Sequence, residues 1–160
     1  MNVRHKNYFK KNSKSFYFAS LFLSKQSSKH VYILYQFCRR VDDLVDKGKK
    51  NNFKKLCLLE KELKRKSFTN DSYLNNISLL IKSKIIRIEN LLELLKGVSL
   101  DTKKVHIQKK DELLNYSYLV AGTVGMMMCG ILKTTNNYSY KYAVDLGIAM
   151  QLTNILRDIL

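Results

Sequence analysis

One hundred and sixty residues without a single proline, and with only six glycines, leave a chain almost nothing with which to break a helix. The apolar residues recur at spacings of three and four nearly throughout, the pattern of helices that bury one face. From a cap at Ser27 or Ser28, HVYILYQFCRRVDDLVDK sets Val31, Leu34, Tyr35, Cys38, Val41 and Val45 on one side and predicts a helix to about residue 47. KGKKNN then interrupts the pattern. Residues 53–66 predict a lysine-rich amphipathic helix with Leu56, Leu59 and Leu63 on one side. Residues 73–95 predict one or two more, ending at Gly97 as a C-cap. VSLDTKKVHIQKKD reads as a loop or a short helix. Residues 111–132 and 138–160 predict the last two helices, separated by the polar turn KTTNN. No alternating strand pattern, hairpin turn or internal repeat is present, so the fold class is all-α.

Composition removes several other classes. With 46% apolar and 26% charged residues the chain has globular proportions, not those of a disordered tail. Three cysteines in no spaced pairs give neither a disulfide framework nor a zinc pattern, and they point to the cytoplasm. The basic N-terminus, MNVRHKNYFKKNSKSF, has no apolar signal core. LLNYSYLVAGTVGMMMCGIL is long enough for a membrane span, but Asn115, Ser117, Thr123 and its glycines make a buried helix the better reading. The net charge of +16 is uneven: +13 over residues 1–66 and +3 over the rest. Such a balance suits nucleic acid, an anionic surface or a phosphate-bearing substrate. Yet 23 lysines against 6 arginines, with 13 asparagines and 4 alanines, is the skew that AT-rich codon use produces. Nothing of groove-reading form appears, which argues against nucleic acid as a partner. Arginine is the more informative cation here, and Arg39, Arg40 and Arg157 all lie within three residues of an aspartate.

The chemistry sits on two of the predicted helices. Asp42 and Asp46 are four apart and face the same way, with Arg39 and Tyr35 completing a stripe toward the N-terminus. Like charges at that spacing cost a helix a few tenths of a kcal/mol. A divalent cation would offset the cost, and Mg²⁺ suits one or two carboxylates plus phosphate oxygens. A solvated acidic turn satisfied by Arg39 and Arg40 is the plainer alternative, and for this motif alone the stronger one. The last helix carries a second polar stripe. Gly147, Gln151, Asn154 and Asp158 recur at four, three and four beside an apolar face of Ile148, Leu152, Ile155 and Ile159. Either these amides form a satisfied core network or they are the oxygen-bearing wall of a cavity. Arg157 adds a fork suited to phosphate.

Four segments in order, SKSFYFASLFL, YQFCRRVDDLVD, NYSYLVAGTVGMMM and LGIAMQLTNILRD, together resemble the squalene/phytoene synthase family, with the phytoene synthase branch nearest. The resemblance implies an isoprenoid-synthase-type helical bundle around a central cavity. It implies head-to-head joining of two isoprenoid diphosphates through a cyclopropyl diphosphate. For the phytoene branch the substrate is geranylgeranyl diphosphate; for squalene or dehydrosqualene synthases it is farnesyl diphosphate. It implies two or three Mg²⁺ ions bridged by substrate diphosphate, with Asp42, Asp46, Asn154 and Asp158 as ligands. Arg39, Arg157 and Gln151 match diphosphate-binding positions, and Ser13 and Ser15 match flap serines. Tyr35 and Tyr116 match pocket tyrosines near the reacting carbons, and Val120 and Val124 match the apolar wall. A lipid product also implies a membrane surface as a partner for its release. The second motif's last aspartate would fall at position 162. Residues 1–160 are therefore expected to be the N-terminal part of a single domain, truncated and inactive alone. An inactive remnant or a basic surface-binding module is the expectation should the motif reading fail.

Overall fold

The computed structural model describes residues 14–46, 52–65, 72–102 and 107–159, and these are helical apart from turns and short connections. In chain order the helices are α1 (Lys14–Ser20), α2 (Lys25–Asp46), α3 (Asn52–Arg65), α4 (Ser72–Lys82), α5 (Ile88–Leu100), α6 (Lys110–Ser117), a π-helical turn (Tyr118–Gly122), α7 (Thr123–Leu132) and α8 (Asn137–Ile159). The segment α6–π–α7 runs without interruption as one helix, Lys110–Leu132.

The core forms where α2 to α5 meet. Val31, Leu34, Phe37 and Val41 of α2, Leu56, Leu59 and Leu63 of α3, Leu74 and Ile77 of α4, and Leu91, Leu94, Leu95 and Val98 of α5 are buried together. The α3 face is the expected one; on α2 the expected Val31, Leu34 and Val41 are buried, but Tyr35, Cys38 and Val45 are only half-buried, and the fully buried Phe37 lies outside the expected face. Met127 and Ile131 carry the same core onto α7. The apolar 110–132 segment passes a length-and-composition test for crossing a membrane. Here Leu119, Thr123, Met127, Cys129 and Ile131 are buried against neighbouring helices, as expected of a core helix.

Four boundaries differ from the sequence reading. A short α1 stands where no helix was expected. The cap of α2 is Ser24, whose Oγ accepts the Ser27 N–H at 3.1 Å, one turn before the expected serines. Gly97 is no C-cap: it lies buried inside α5, which runs on to Leu100. A Cβ on Gly97 would sit 2.7 Å from Leu119 Cβ and 2.9 Å from Val120 Cγ1, so close packing on the π turn, not helix termination, demands glycine there. The true stops fall at Lys84 and Lys133, with φ of 53° and 57°. At the first, Lys84 N–H bonds Ile81 O and Ile85 N–H bonds Leu80 O; at the second, Lys133 N–H bonds Gly130 O and Thr134 N–H bonds Cys129 O. Both are the paired bonds of a Schellman stop, with lysine in the left-handed position that glycine usually fills.

The last helix is held differently. None of its residues is buried. It lies along the π turn and α7, and the approach is closest at two glycines. A Cβ on Gly125 would meet Ala143 O at 2.2 Å, and one on Gly147 would meet Ala121 O at 2.5 Å. Of the expected packing face, Ile148, Leu152 and Ile155 are half-buried, but Ile159 is exposed at 76%.

Candidate active site

The four motif segments fall on four neighbouring elements: α1, α2, the 110–132 helix and α8. Both α2 and α8 pack on α7, so the two aspartate-bearing helices share a neighbour. Phe16 of α1 seats its ring 6.1 Å from that of Tyr35, which brings the Ser15 helix onto the α2 stripe. Ser15 is exposed; Ser13 lies outside the described residues.

On α2, Tyr35 is half-buried, while Arg39 and Asp42 are exposed. Asp46 lies on the helix one turn beyond Asp42, its side chain outside those described. Arg39 pairs with Asp43, not with Asp42, its Nη2 standing 3.2 Å from the Asp43 carboxylate. Four residues along a helix is the favoured geometry for such a pair, which leaves the Asp42 face clear of this guanidinium. Arg40 turns the other way, its guanidinium 4.3 Å from the centre of the Tyr73 ring, which stacks in turn on Phe37. The two arginines thus divide between the acidic turn and the core. Burial first, and the Asp42 charge second, push the Cys38 thiol up to about 12, which disfavours its thiolate form.

The 110–132 helix presents Tyr116, Val120 and Val124, all half-buried. Tyr116 donates its hydroxyl to Asp101, 3.0 Å from both carboxylate oxygens. Tyr118 donates to Glu93 at 2.8 Å. Burial, then the bond to Glu93 and its charge, raise the Tyr118 hydroxyl above the usual phenol range, which keeps it a donor. On α8, Gln151 is half-buried, and Asn154, Arg157 and Asp158 are exposed. Arg157 folds onto its own neighbour, with Nε and Nη2 both 2.9 Å from Asp158 Oδ1.

Among the described residues no three His, Cys, Asp or Glu side chains come together as a ready-made metal cage. Two hollows open beside α3, the larger about 370 Å³ and lined by Leu56, Cys57, Glu60, Leu92, Glu93 and Lys96 among others. Neither hollow includes a proposed diphosphate or metal ligand. Sequence reasoning missed Asp43, Asp101, Glu93 and Tyr118. Only the i,i+4 spacing of Arg39 and Asp43 could have signalled one of these contacts, because the tyrosine partners lie 15 and 25 residues away.

The described residues thus form an all-α assembly with an acidic stripe on one long helix, a polar stripe on another and an apolar helix beside both. The squalene/phytoene synthase family profile matches residues 9–160, and the chain belongs to that family. It is 31% identical over 157 residues to phytoene synthase 1, chloroplastic, of Arabidopsis thaliana, with 92% of this chain and 37% of that protein covered. Against phytoene synthase 2, chloroplastic, of Oryza sativa subsp. japonica it is 34% identical over 158 residues, covering 92% of this chain and 39% of that one. A crystal structure of a dehydrosqualene synthase in complex with ligand superposes with a TM-score of 0.85 at 36% identity, over 97% of this chain and 55% of that chain. The squalene synthase HpnC from Alicyclobacillus acidocaldarius superposes with a TM-score of 0.84 at 25% identity, over 97% and 60%. The chain therefore spans about two-fifths of these plant relatives and somewhat over half of the solved neighbours.

Proposed function

We propose that this chain supplies the first part of a site that joins two geranylgeranyl diphosphates head to head, forming phytoene through a cyclopropyl diphosphate. The observation that supports the reading is the order of the four motifs on neighbouring helices of a chain that is 31–34% identical to plant phytoene synthases. The residue types suit Mg²⁺: positions 42 and 46 are aspartates one turn apart along α2, and Asn154 and Asp158 would add oxygen ligands from α8. Bound Mg²⁺ would neutralise charge on the diphosphate. Arg39 and Arg157 each hold a guanidinium at an exposed position, ready to exchange a local carboxylate for phosphate oxygens. Loss of an allylic diphosphate leaves a carbocation that water would quench. Val120 and Val124 line the apolar side where the prenyl chain would lie, with Met128 one turn further along the same row. Tyr35 of α2 and Tyr116 of the same helix as the wall would be the tyrosines near the reacting carbons. The three free cysteines fit a reducing compartment such as the cytoplasm, and a lipid product fits release at a membrane surface.

The dehydrosqualene synthase likeness supports a second reading, the same chemistry on farnesyl diphosphate. Fusing residues 1–160 to the remaining C-terminal part of a plant phytoene synthase and analysing products by chromatography separates the two. A C40 product from geranylgeranyl diphosphate with Mg²⁺ is expected. A C30 product from farnesyl diphosphate alone reassigns the chain, and no product from a folded fusion leaves a non-catalytic remnant or surface-binding module. Residues 1–160 alone are expected to give none. In the fusion, Asp42→Ala should abolish turnover while the circular dichroism spectrum and melting temperature hold, since removing one of two like charges relieves repulsion along α2. Retained activity with lost stability would instead make Asp42 part of a structural acidic turn.

A further inference from the structure

The proposed apolar wall stands on a helix that departs from α geometry in the middle of the motif. Tyr118–Gly122 forms a π turn in which the Thr123 N–H bonds Tyr118 O, five residues back. Such turns are rare, and they cost the backbone unless neighbours hold them. Their geometric effect can be worked out. A regular helix turns about 100° per residue, so Val124 would lie about 80° around the axis from Tyr116. A π turn absorbs one residue's rotation, which brings the two within about 20° of one line. The buried side follows the same rule. Leu119, Thr123, Met127 and Ile131 repeat at four three times over, a spacing whose face would drift by about 120° in an unbroken helix. The π turn is therefore what gives this helix both a continuous core face and a continuous wall.

Four contacts hold it. Tyr118 reaches α5 and donates to Glu93 at 2.8 Å. Its ring runs beside Gly122, where a Cβ would stand 3.0 Å from Tyr118 Cδ2. Thr123 Oγ1 donates to Leu119 O at 2.8 Å in the buried interior, and Gly97 of α5 admits Leu119 and Val120 at contact distance. Only the first of these is a side-chain hydrogen bond to another helix.

We propose that the Tyr118–Glu93 hydrogen bond is the latch of the π turn, and that Tyr118 and Glu93 are positioning residues for the Tyr116–Val120–Val124 wall. This rests on the prenyl-diphosphate reading of the site for its consequence, but not for its structural half. Neither residue touches the reacting atoms; each acts through the register of the helix.

Hydrogen exchange read by mass spectrometry on the 160-residue chain tests the latch without any activity. Tyr118→Phe and Glu93→Ala should speed exchange across residues 116–126 by about tenfold, the loss of one part-buried hydrogen bond. Glu93→Gln, whose amide oxygen still accepts, should stay within about threefold. Protection in α3 should not change in any variant. Unaltered exchange in Tyr118→Phe, or a loss of protection throughout the chain in that variant, overturns a local latch. Calorimetric binding with Mg²⁺ tests the consequence, using a non-hydrolysable geranylgeranyl thiolodiphosphate and inorganic diphosphate as probes. Tyr118→Phe should weaken the prenyl probe about fivefold and leave inorganic diphosphate unchanged, whereas Glu93→Gln, which keeps an acceptor for the Tyr118 hydroxyl, should bind both probes as the unsubstituted protein does. Faster exchange with equal prenyl affinity overturns the positioning role. These binding measurements use the fusion of residues 1–160 to the C-terminal part of a plant phytoene synthase. If the folded fusion without substitutions binds neither probe, the prenyl-diphosphate reading fails and the wall's role with it, while exchange still decides the latch.

Discussion

The two aspartate-bearing helices are nearly equal in length, 22 residues in α2 and 23 in α8, and the chain holds them in opposite ways. Six apolar residues of α2, Val31 to Leu34 with Phe37 and Val41, are buried among four other helices, α3, α4, α5 and α7. No residue of α8 is buried, and Tyr138, Tyr142, Leu146, Met150, Leu156 and Ile159 all stand exposed. Both helices show apolar residues at helical spacing. Periodicity therefore tells which face a helix would bury, not whether another element covers it. It follows that Asp42 and Arg39 ride on a support fixed by the core, whereas Asn154, Arg157 and Asp158 ride on one fixed along a single edge.

The sharpest way to break this contrast is to truncate one side chain on each helix. Phe37 is fully buried and stacks on Tyr73. Phe37→Ala should lower unfolding free energy by about 3–5 kcal/mol in denaturant titration. Leu156 is 64% exposed, and Leu156→Ala should stay within about 0.5 kcal/mol. Equal losses would mean that α8 is packed as tightly as α2.

The next effect lies at the edge that does hold α8. Gly125 faces the Ala143 carbonyl so closely that an added methyl requires backbone movement. Gly125→Ala should cost about 2–3 kcal/mol and speed amide exchange in α8 more than in α2 to α5. A neutral substitution would show that the α7–α8 crossing has slack, and that α8 is anchored elsewhere.

These cases show where the sequence was legible. Leu56, Leu59 and Leu63 sit at three and four in a chain with no proline, and α3 and its buried side followed directly. The family was readable because the order of the four motifs along the chain is itself specific, and the family profile matches residues 9–160. Helix ends were less legible. A Schellman stop is sought by its glycine, and in a lysine-rich chain the left-handed positions are Lys84 and Lys133. Gly97 carried the same signal for a different reason, room for Leu119 and Val120. The π turn was harder still, since a run of apolar residues on every side of YLVAG hides a one-residue change of register. Its supports, Glu93 and Asp101, are ordinary acidic residues until the tertiary fold places tyrosines on them.

A smaller effect sharpens the picture at that turn. Ser117 immediately precedes it, is fully buried, and its Oγ has no hydrogen-bond partner. A buried hydroxyl without a partner is destabilising, and alanine also favours the helix more than serine does. Ser117→Ala should therefore raise stability by about 1 kcal/mol. A loss of the same size would reveal that the hydroxyl contributes to the turn, most directly through a bound water.

The smallest expected effect returns to α2 and concerns pH. His30 is half-buried beside Val31, and burial first, then the Lys29 and Lys133 charges, lower its pKa from 6.5. Lys133 belongs to the stop of α7, so the effect joins the well-packed helix to the end of the helix that carries the wall. A folded-state value below the unfolded one means that the unfolded chain takes up the proton first. His30 therefore contributes stability that is fully present above pH 6.5 and is lost as pH falls through 6.5 toward its folded value. The melting temperature of the unmodified chain should drop between pH 7.5 and pH 5 by more than that of His30→Gln, the carboxylates contributing equally to both. An NMR titration of the imidazole reads the cause directly. A midpoint at or above 6.5 would mean that neither burial nor the two lysines reach the ring. In that case the α2–α7 contact at this end of the bundle is wetter than its packing implies.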